Sequence, residues 1–372
     1  MKIGILTHPL ASNYGGILQN YALQTVLKQI GHAPVTLDYV NDLSCKIKML
    51  SVVKRLLRRL RGENIPLRVW PTDKELEIIE LNVRRFINNN INRTRRVRFS
   101  ELAKLKSEGF EALIVGSDQV WRGDRGHIER YFFSDFTDLD VPKIAYAASM
   151  GVDWWSFSES DTVICRQLAT KFKAVSVREA SAVRLCKEHL NINATLVLDP
   201  TLLLNKEDYE SLLNGGEPDK QHKQMMVYVL DKSNAKSEIV QAMGEKLQLQ
   251  PHSVMADAHF YEVGQKGLEY CIFPAVEDWL KGFRDADYVV TDSFHGMVFS
   301  VIFNKQFVAI ANNKRGRSRF SSFLEMLGLG ERLVESKEQA HRLLDRAIDY
   351  NRVNQLLNLK RKESLEFLRS NL

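Results

Sequence analysis

Tyr288-Val-Val-Thr291 is a short β-branched run that stops at Asp292-Ser293, two residues favoured at a helix N-cap, and an apolar segment starts at Phe294. A buried strand that hands over directly to a helix is the unit of a parallel α/β sheet. In such a sheet the junction at the strand's C-terminal end faces the ligand crevice. A helix start placed there offers free N–H groups and the positive end of a dipole to an anion. His295 stands at that mouth, and Gly296 beside it lets a ligand approach the backbone. A titratable ring at an anion site points to acid/base chemistry on a phosphorylated or carboxylated substrate.

The same alternation runs through the chain. Strands are predicted at Ile3 to Thr7, Val35 to Asp38, Ala112 to Val115, Lys143 to Ala147, Ala174 to Val177 and Thr195 to Leu198. Helical spacing is predicted from Ile17 to about Ile30, Asp161 to Phe172 and Glu179 to His189, with a polar turn Ser12 to Gly16 after the first strand. That turn is not a dinucleotide fingerprint, because G-x-G-x-x-G is missing. Leu204 to Lys223, with Gly215-Gly216 and Pro218, reads as a linker. Beyond it a second, smaller sheet is predicted at Met225 to Leu230, Ser253 to Met255, Asp287 to Thr291 and Phe307 to Ile310. The expected organisation is two Rossmann-like doubly wound domains, 1–205 and 206–335, facing a cleft, with closing helices over 336–372.

A chain of 372 residues with 44% hydrophobic and 26% charged residues is ordinary for a soluble two-domain protein. Its net charge of +6 is too small an excess to argue for nucleic-acid binding, and no such partner is expected. Met1 leads straight into a strand, and no apolar run is long enough to span a bilayer, so neither a signal peptide nor a membrane span is expected. Cys45, Cys165, Cys186 and Cys271 are isolated, which fits reduced thiols and a cytoplasmic setting.

The basic residues cluster. Lys46, Lys48, Lys54, Arg55, Arg58, Arg59 and Arg61 interleave with Leu50, Val53, Leu57 and Leu60 at helical spacing. Two readings stand: a solvated helix packed against the domain by its leucine stripe, or a basic amphipathic helix lying on an anionic membrane surface. Arg93 to Arg98 either extends this patch or is plain surface.

Six blocks carry a family resemblance: Asn13-Tyr-Gly-Gly-Ile-Leu-Gln-Asn-Tyr-Ala-Leu23, Gly116-Ser-Asp-Gln-Val-Trp121, Tyr146-Ala-Ala-Ser-Met-Gly151, Ser176-Val-Arg-Glu179, Leu198-Asp-Pro-Thr-Leu-Leu203 and Ser293-Phe-His-Gly296. In this order and spacing they resemble the polysaccharide pyruvyl transferase family, over residue 1 to about 335. Arg122, Asp292 and Met297 stand where that family commonly has Asn, Asn and Thr. The resemblance implies a GT-B-like glycosyltransferase architecture, with the acceptor on the N-terminal domain and the donor on the C-terminal one. It also implies phosphoenolpyruvate as donor and co-substrate, no other cofactor, and pyruvate transfer as a ketal onto two hydroxyls of a sugar or lipid-linked oligosaccharide.

Such a donor carries a carboxylate and a phosphate, and arginine forks suit both. Arg178, at a strand end, is the leading donor ligand; its alternative is a structural ion pair with Glu179 or Asp199. Arg319 with Ser318 matches a Ser-Arg pair of the family, whereas Arg315 and Arg317 read as a solvated loop. Ser293 and Gly296 would complete the donor side. His295 is the expected acid/base catalyst, its alternative being a cap or core histidine. Asp118 is expected to orient or deprotonate an acceptor hydroxyl, and Trp121 to stack on a sugar face; an Asx turn and a core tryptophan are the alternatives. Asn13, Tyr14 and Gln19 suit sugar hydroxyls, unless Gly15 and Gly16 serve only a tight turn. Asp199-Pro200 reads as a strand end leading to the next domain. Asp285-Ala-Asp287 and Asp138-Leu-Asp140 have Asp-x-Asp spacing, yet no metal is expected, since the first lies at the wrong strand end and no zinc helix is present.

Two other functions remain open on the sequence: a GT-B glycosyltransferase holding a sugar-nucleotide pyrophosphate at the Ser293 helix start, and a non-catalytic anion-binding module.

Overall fold

The computed structural model describes residues 1–40, 45–123, 131–133, 138–213, 215, 223–312 and 316–372, with the side chains of 45–48 left out. Lys314 and Arg315, the linker residues Gly216 and Pro218, and the side chains of Cys45, Lys46 and Lys48 therefore lie outside the described residues.

Thirteen strands are described: β1 Lys2–Leu6, β2 Ala33–Thr36, β3 Tyr39–Val40, β4 Val97–Arg98, β5 Ala112–Gly116, β6 Lys143–Ala148, β7 Ala174–Val177, β8 Thr195–Leu196, β9 Gln224–Tyr228, β10 Gln250–His252, β11 Tyr288–Thr291, β12 Gln306–Ile310 and β13 Leu333–Val334. They form a six-stranded sheet ordered β2-β1-β5-β6-β7-β8, a five-stranded sheet ordered β10-β9-β11-β12-β13, and the small pair β3-β4. Every strand pairing among the described residues is parallel. Central strands β5, β6 and β11 are buried at every position, as parallel strands covered on both faces must be. In each large sheet the strand order reverses once, between β1 and β5 and between β9 and β11. Ligands of open α/β sheets bind outside the strand ends at such reversals.

β10 and the two-residue strands β3, β4 and β13 depart from expectation for a physical reason. β10 lies three residues earlier than expected and is exposed along its length, so it carries no apolar pattern. β3, β4 and β13, each only two residues long, were not anticipated.

Helix α1 (Tyr14–Gln29) starts three residues before the expected Ile17, because Asn13 caps it, its side chain accepting from Gly16 N. The expected turn glycines are thus helical. α2 (Cys45–Leu60) forms as the spacing predicts, but its leucine stripe does not pack on the body. Leu50, Leu57 and Leu60 are 66%, 54% and 77% exposed, which overturns the packed-stripe reading. The second basic cluster is not an extension of that patch: Arg93 and Arg96 both pair with buried Asp38, at 2.6 and 3.1 Å.

The remaining helices that matter here are α3 (Ala180–Leu185), α4 (Asn234–Leu247), α5 (Val276–Asp285), α6 (Phe294–Ile302), α7 (Arg317–Met326) and α8 (Tyr350–Asn371). The expected closing segment ends in α8, which returns to the first sheet's lobe. Leu198 N donates to Ser364 Oγ, and Arg361 donates to the carbonyls of Leu202 and Leu204. The largest apolar core runs continuously through both lobes, from Ile3 and Tyr146 to Trp279, Phe294 and Leu357.

Asp292 organises the second sheet's crevice edge. Fully buried, it accepts from Leu230 N, Asp231 N, Lys236 Nζ and Asn312 Nδ2, so the strand ends of β9, β11 and β12 and the start of α4 share one carboxylate. Asp292→Ala leaves a partly buried ammonium and several donors short of their shared acceptor, and the expected loss of unfolding free energy is about 3 kcal/mol. Urea denaturation measures it, and a change under about 1 kcal/mol would place the restraint elsewhere.

Candidate active site

Crevice-facing ends of both sheets converge on one carboxylate, Asp199, which follows β8 and is 2% exposed. Its Oδ2 accepts from Arg178 Nη1 at 2.6 Å and from Ser117 Oγ at 3.2 Å, and lies 3.7 Å from His295 Nε2. Its Oδ1 accepts from Thr201 N and Oγ1, which fixes the carboxylate plane. Arg178, just past β7, donates its other terminal nitrogen to Asp118 Oδ1 at 3.0 Å. Asp118, just past β5, also lies 3.9 Å from Arg319 Nη1 of α7. Both guanidiniums sit over the Phe294 ring, at 4.4 and 5.5 Å from its centroid, so an aromatic face helps hold two like charges together.

His295 lies in the first turn of α6, capped by Ser293 accepting from Gly296 N. Its ring reaches across to α1, where a Cβ on Gly15 would land on the imidazole Nδ1. Gly15 is therefore the seat of the histidine rather than a turn residue. Gly296 is tight for another reason: a Cβ there would meet Thr291 Oγ1, which donates to Tyr228 O.

Electrostatics follow from burial. Desolvation alone would raise Asp118, but Arg178 chiefly, with His8, His295 and Arg319, holds its carboxyl far below the usual range. Burial likewise works against Asp199, and the His295 and Arg178 contacts overcome it, so this carboxyl is also held well down. Glu179 goes the other way: burial raises it in spite of Arg178 and Arg319. Its Oε1 gathers Ser149 Oγ, Met150 N and Gly151 N, which shapes the loop after β6.

Of the expected site residues, the structure brings together His295, Arg178, Arg319, Asp118, Ser293 and Gly296. Arg178 makes the Asp199 ion pair that was its alternative reading, with Nε buried and lacking a hydrogen-bond partner among the described residues. Ser318 Oγ is buried in the same condition. Arg317 pairs with Glu335 on the surface, as a loop arginine should. Asp118 makes no Asx turn; its side chain is committed to arginine. Gln19 is buried behind it, its amide oxygen placed to accept from Ser117 N and Asp118 N at 3.1 and 2.9 Å. Tyr14 donates to Pro274 O and stacks on Trp279 across the lobes. Trp121 is a core residue stacked on Phe132 with no exposed face, so it offers nothing for a sugar to stack on. Asn13 is exposed at the wall of a cavity of about 420 Å³, which Tyr14, Glu80, Tyr228, Met255 and His259 also line. None of the charged cluster lines that cavity.

Three of the four Asp-x-Asp carboxylates are otherwise engaged: Asp285 pairs with Arg284, Asp287 accepts from Gln224 N and Asp138 pairs with Lys106.

A family model described as polysaccharide pyruvyl transferase matches residues 13–314. The chain belongs to that family. No curated protein matches it in sequence. Among solved structures, the S. aureus MnaA-UDP co-structure aligns with a TM-score of 0.52 and 12% identity, covering 95% of this chain and 90% of that one. UDP-N-acetylglucosamine 2-epimerase from Rickettsia bellii gives 0.49 and 12%, covering 100% and 96%. The glycosyltransferase SnogD from Streptomyces nogalater gives 0.45 and 11%, covering all of both chains. This pyruvyl transferase family member thus has the two-lobed, Rossmann-like GT-B fold, as expected from its sequence.

Phe294 and His8 were not singled out from the sequence, and Asp199 was seen only as a strand end and an alternative ion-pair partner of Arg178, not as a site residue. A carboxylate directly after a buried strand was the available signal. Phe294 was read only as the start of α6. His8 lies just past β1, at the strand-order reversal, with Nδ1 3.1 Å from Tyr131 Oη.

The shifts set a pH dependence. Asp118 and Asp199 titrate lower folded than unfolded, so their stabilisation is complete above about pH 4 and is lost as pH falls toward the folded values. Glu179 titrates higher when folded, so its contribution is complete below about pH 4 and is lost as pH rises through the folded value. Unfolding midpoints should drop steeply below about pH 4, and Asp199→Asn should flatten that drop while lowering stability at neutral pH. An unchanged acid limb in the variant would remove Asp199 from the linkage.

Proposed function

We propose that the chain transfers pyruvate from phosphoenolpyruvate to two hydroxyls of a sugar, forming a ketal in polysaccharide biosynthesis. The observation that carries this reading is the meeting of one imidazole with two guanidiniums at the start of α6; His295 and Arg178 lie within the span matched by the family model, and Arg319 lies just beyond it. Arg178 and Arg319, with Ser318, Ser293 and Gly296 near the helix start, are the groups suited to the donor's carboxylate and phosphate. With the lobes as they stand the cluster is sealed, so donor entry requires them to part.

His295 delivers a proton to the donor's methylene carbon, which leaves the central carbon electrophilic. One sugar hydroxyl then adds there, the bond to phosphate oxygen breaks, and the second hydroxyl closes the ring. Of the two hydroxyl protons released, one replaces the proton given to carbon and one leaves with phosphate. Asp199, beside the imidazole Nε2, orients the ring. Asp118 is held so strongly as an anion by Arg178 that it is a poor base; orienting the arginines and an acceptor hydroxyl is its fitting role. Asn13 and the cavity it lines are the proposed acceptor side, with Tyr14 on the same wall and Gln19 set behind Asp118.

Phosphoenolpyruvate should raise the melting temperature, as any ligand selective for the folded state does, and UDP-sugars should not. The reverse would favour sugar-nucleotide transfer, for which the fold is equally suited. With phosphoenolpyruvate and a panel of glycans, His295→Ala should lower phosphate release by about 10² to 10⁴-fold while the variant still unfolds in one cooperative transition. Near-normal release would remove His295 from the mechanism. Gly15→Ala should unseat the ring while keeping α1, and in the double variant the two losses should not add. Full additivity would mean that Gly15 acts elsewhere.

A further inference from the structure

We infer that α2 is a monotopic docking element for an anionic lipid surface. The helix is turned the opposite way from a packed amphipathic helix. At 100° per residue its apolar side chains from Met49 to Leu60 share an arc of about 160°. Met49, Leu50, Val52, Val53, Leu56, Leu57 and Leu60 are all exposed, Met49 and Val52 also bordering a cavity lined by Arg68 to Asp73 and the others facing solvent. Ser51, Arg55 and Arg58, on the opposite side, are the half-buried ones. Arg55 ties this back face to the body by donating to Pro66 O and Tyr261 O, at 2.6 and 2.9 Å. Arg58 is clamped by Glu63. The helix is therefore held by its polar side with its apolar side presented outward.

What the outward face fits is set by its borders. Lys54 flanks the arc on one edge and Arg59 on the other, both exposed, with Arg61 just beyond. No acidic residue occurs from Cys45 to Leu60. A second copy of α2 laid against the first would bring like charges together along both edges. An anionic bilayer meets all three demands at once: apolar depth for the leucines, phosphate for the flanking cations, and a plane wide enough for a helix about 24 Å long. No helix among the described residues is long and apolar enough to cross a membrane, so the contact is in-plane. Tyr261, which holds Arg55, also lines the cavity at Asn13, so docking through α2 sets that cavity beside the lipid surface. The inference stands on α2 alone and does not rest on the reaction proposed above.

The full chain should float with vesicles of phosphatidylglycerol and phosphatidylcholine, and not with phosphatidylcholine alone. Leu57→Glu with Leu60→Glu should abolish flotation. Both side chains are exposed, so the unfolding curve should not move, and it serves as the control. Lys54→Glu with Arg59→Glu should weaken binding by on the order of fivefold per charge removed. Leu57→Trp should show emission quenched by brominated phosphatidylglycerol beyond the quenching of the wild-type protein. Absence of wild-type binding to the anionic vesicles, binding that survives Leu57→Glu with Leu60→Glu, or a solution dimer that this pair dissolves without any vesicle binding would each overturn the inference.

Discussion

A buried carboxylate–guanidinium chain, Asp199 to Arg178 to Asp118, is the restraint on which the rest of the structure depends. Charges this far from water gain little net stability from pairing, because desolvation consumes much of the Coulomb energy. Their value is in geometry. Losing one member strands its partner in a low-dielectric interior, so alternative arrangements of the loops that follow β5, β7 and β8 are strongly disfavoured. Those three loops belong to the first lobe. The chain reaches the second lobe through His295 against Asp199, Arg319 near Asp118, and the Phe294 face beneath both arginines.

Small residues make that meeting possible. Gly15 leaves room for the imidazole at the start of α1, and at Gly316 a Cβ would fall on the Gly151 carbonyl, so the loop leading into α7 lies directly on the loop after β6. Gly316 also has φ of +83°, a conformation a side chain would strain. The family blocks at 13–23 and 293–296 are thus facing surfaces of one contact, and the block at 146–151 meets the loop before α7. Outside it, α2 shows that amphipathic spacing alone does not say which face is buried: the same periodicity fits a helix packed by its leucines or one held by its arginines. The carbonyls of Pro66 and Tyr261 decide for the second arrangement.

Much of the fold was legible because parallel strands covered on both faces must be continuously apolar. Tyr288 to Thr291, Ala112 to Val115 and Ala174 to Val177 therefore stood out, and their ends marked the crevice. His295, Arg178 and Asp118 were found through those ends. Asp199 and His8 have the same position relative to their strands, yet a lone acid before a proline and a lone histidine after a first strand look like ordinary loop residues until their partners are known. For Trp121 packing keeps the core reading, since its ring is spent on Phe132, while Tyr14 both stacks on Trp279 and lines the cavity at Asn13.

The sequence by itself determined the alternation of strand and helix, the capped start at Ser293, the two-sheet plan and the family, because these depend on periodicities and short motifs read within a few residues. Only the tertiary structure decided that Asp199 is the hub, that Arg178 is taken up by two carboxylates, that Gly15 seats a histidine 280 positions away in the chain, and that the leucines of α2 face outward. Each of those is a contact between segments remote in sequence. A local pattern records what a residue can do, and burial among particular neighbours selects which of those possibilities it keeps.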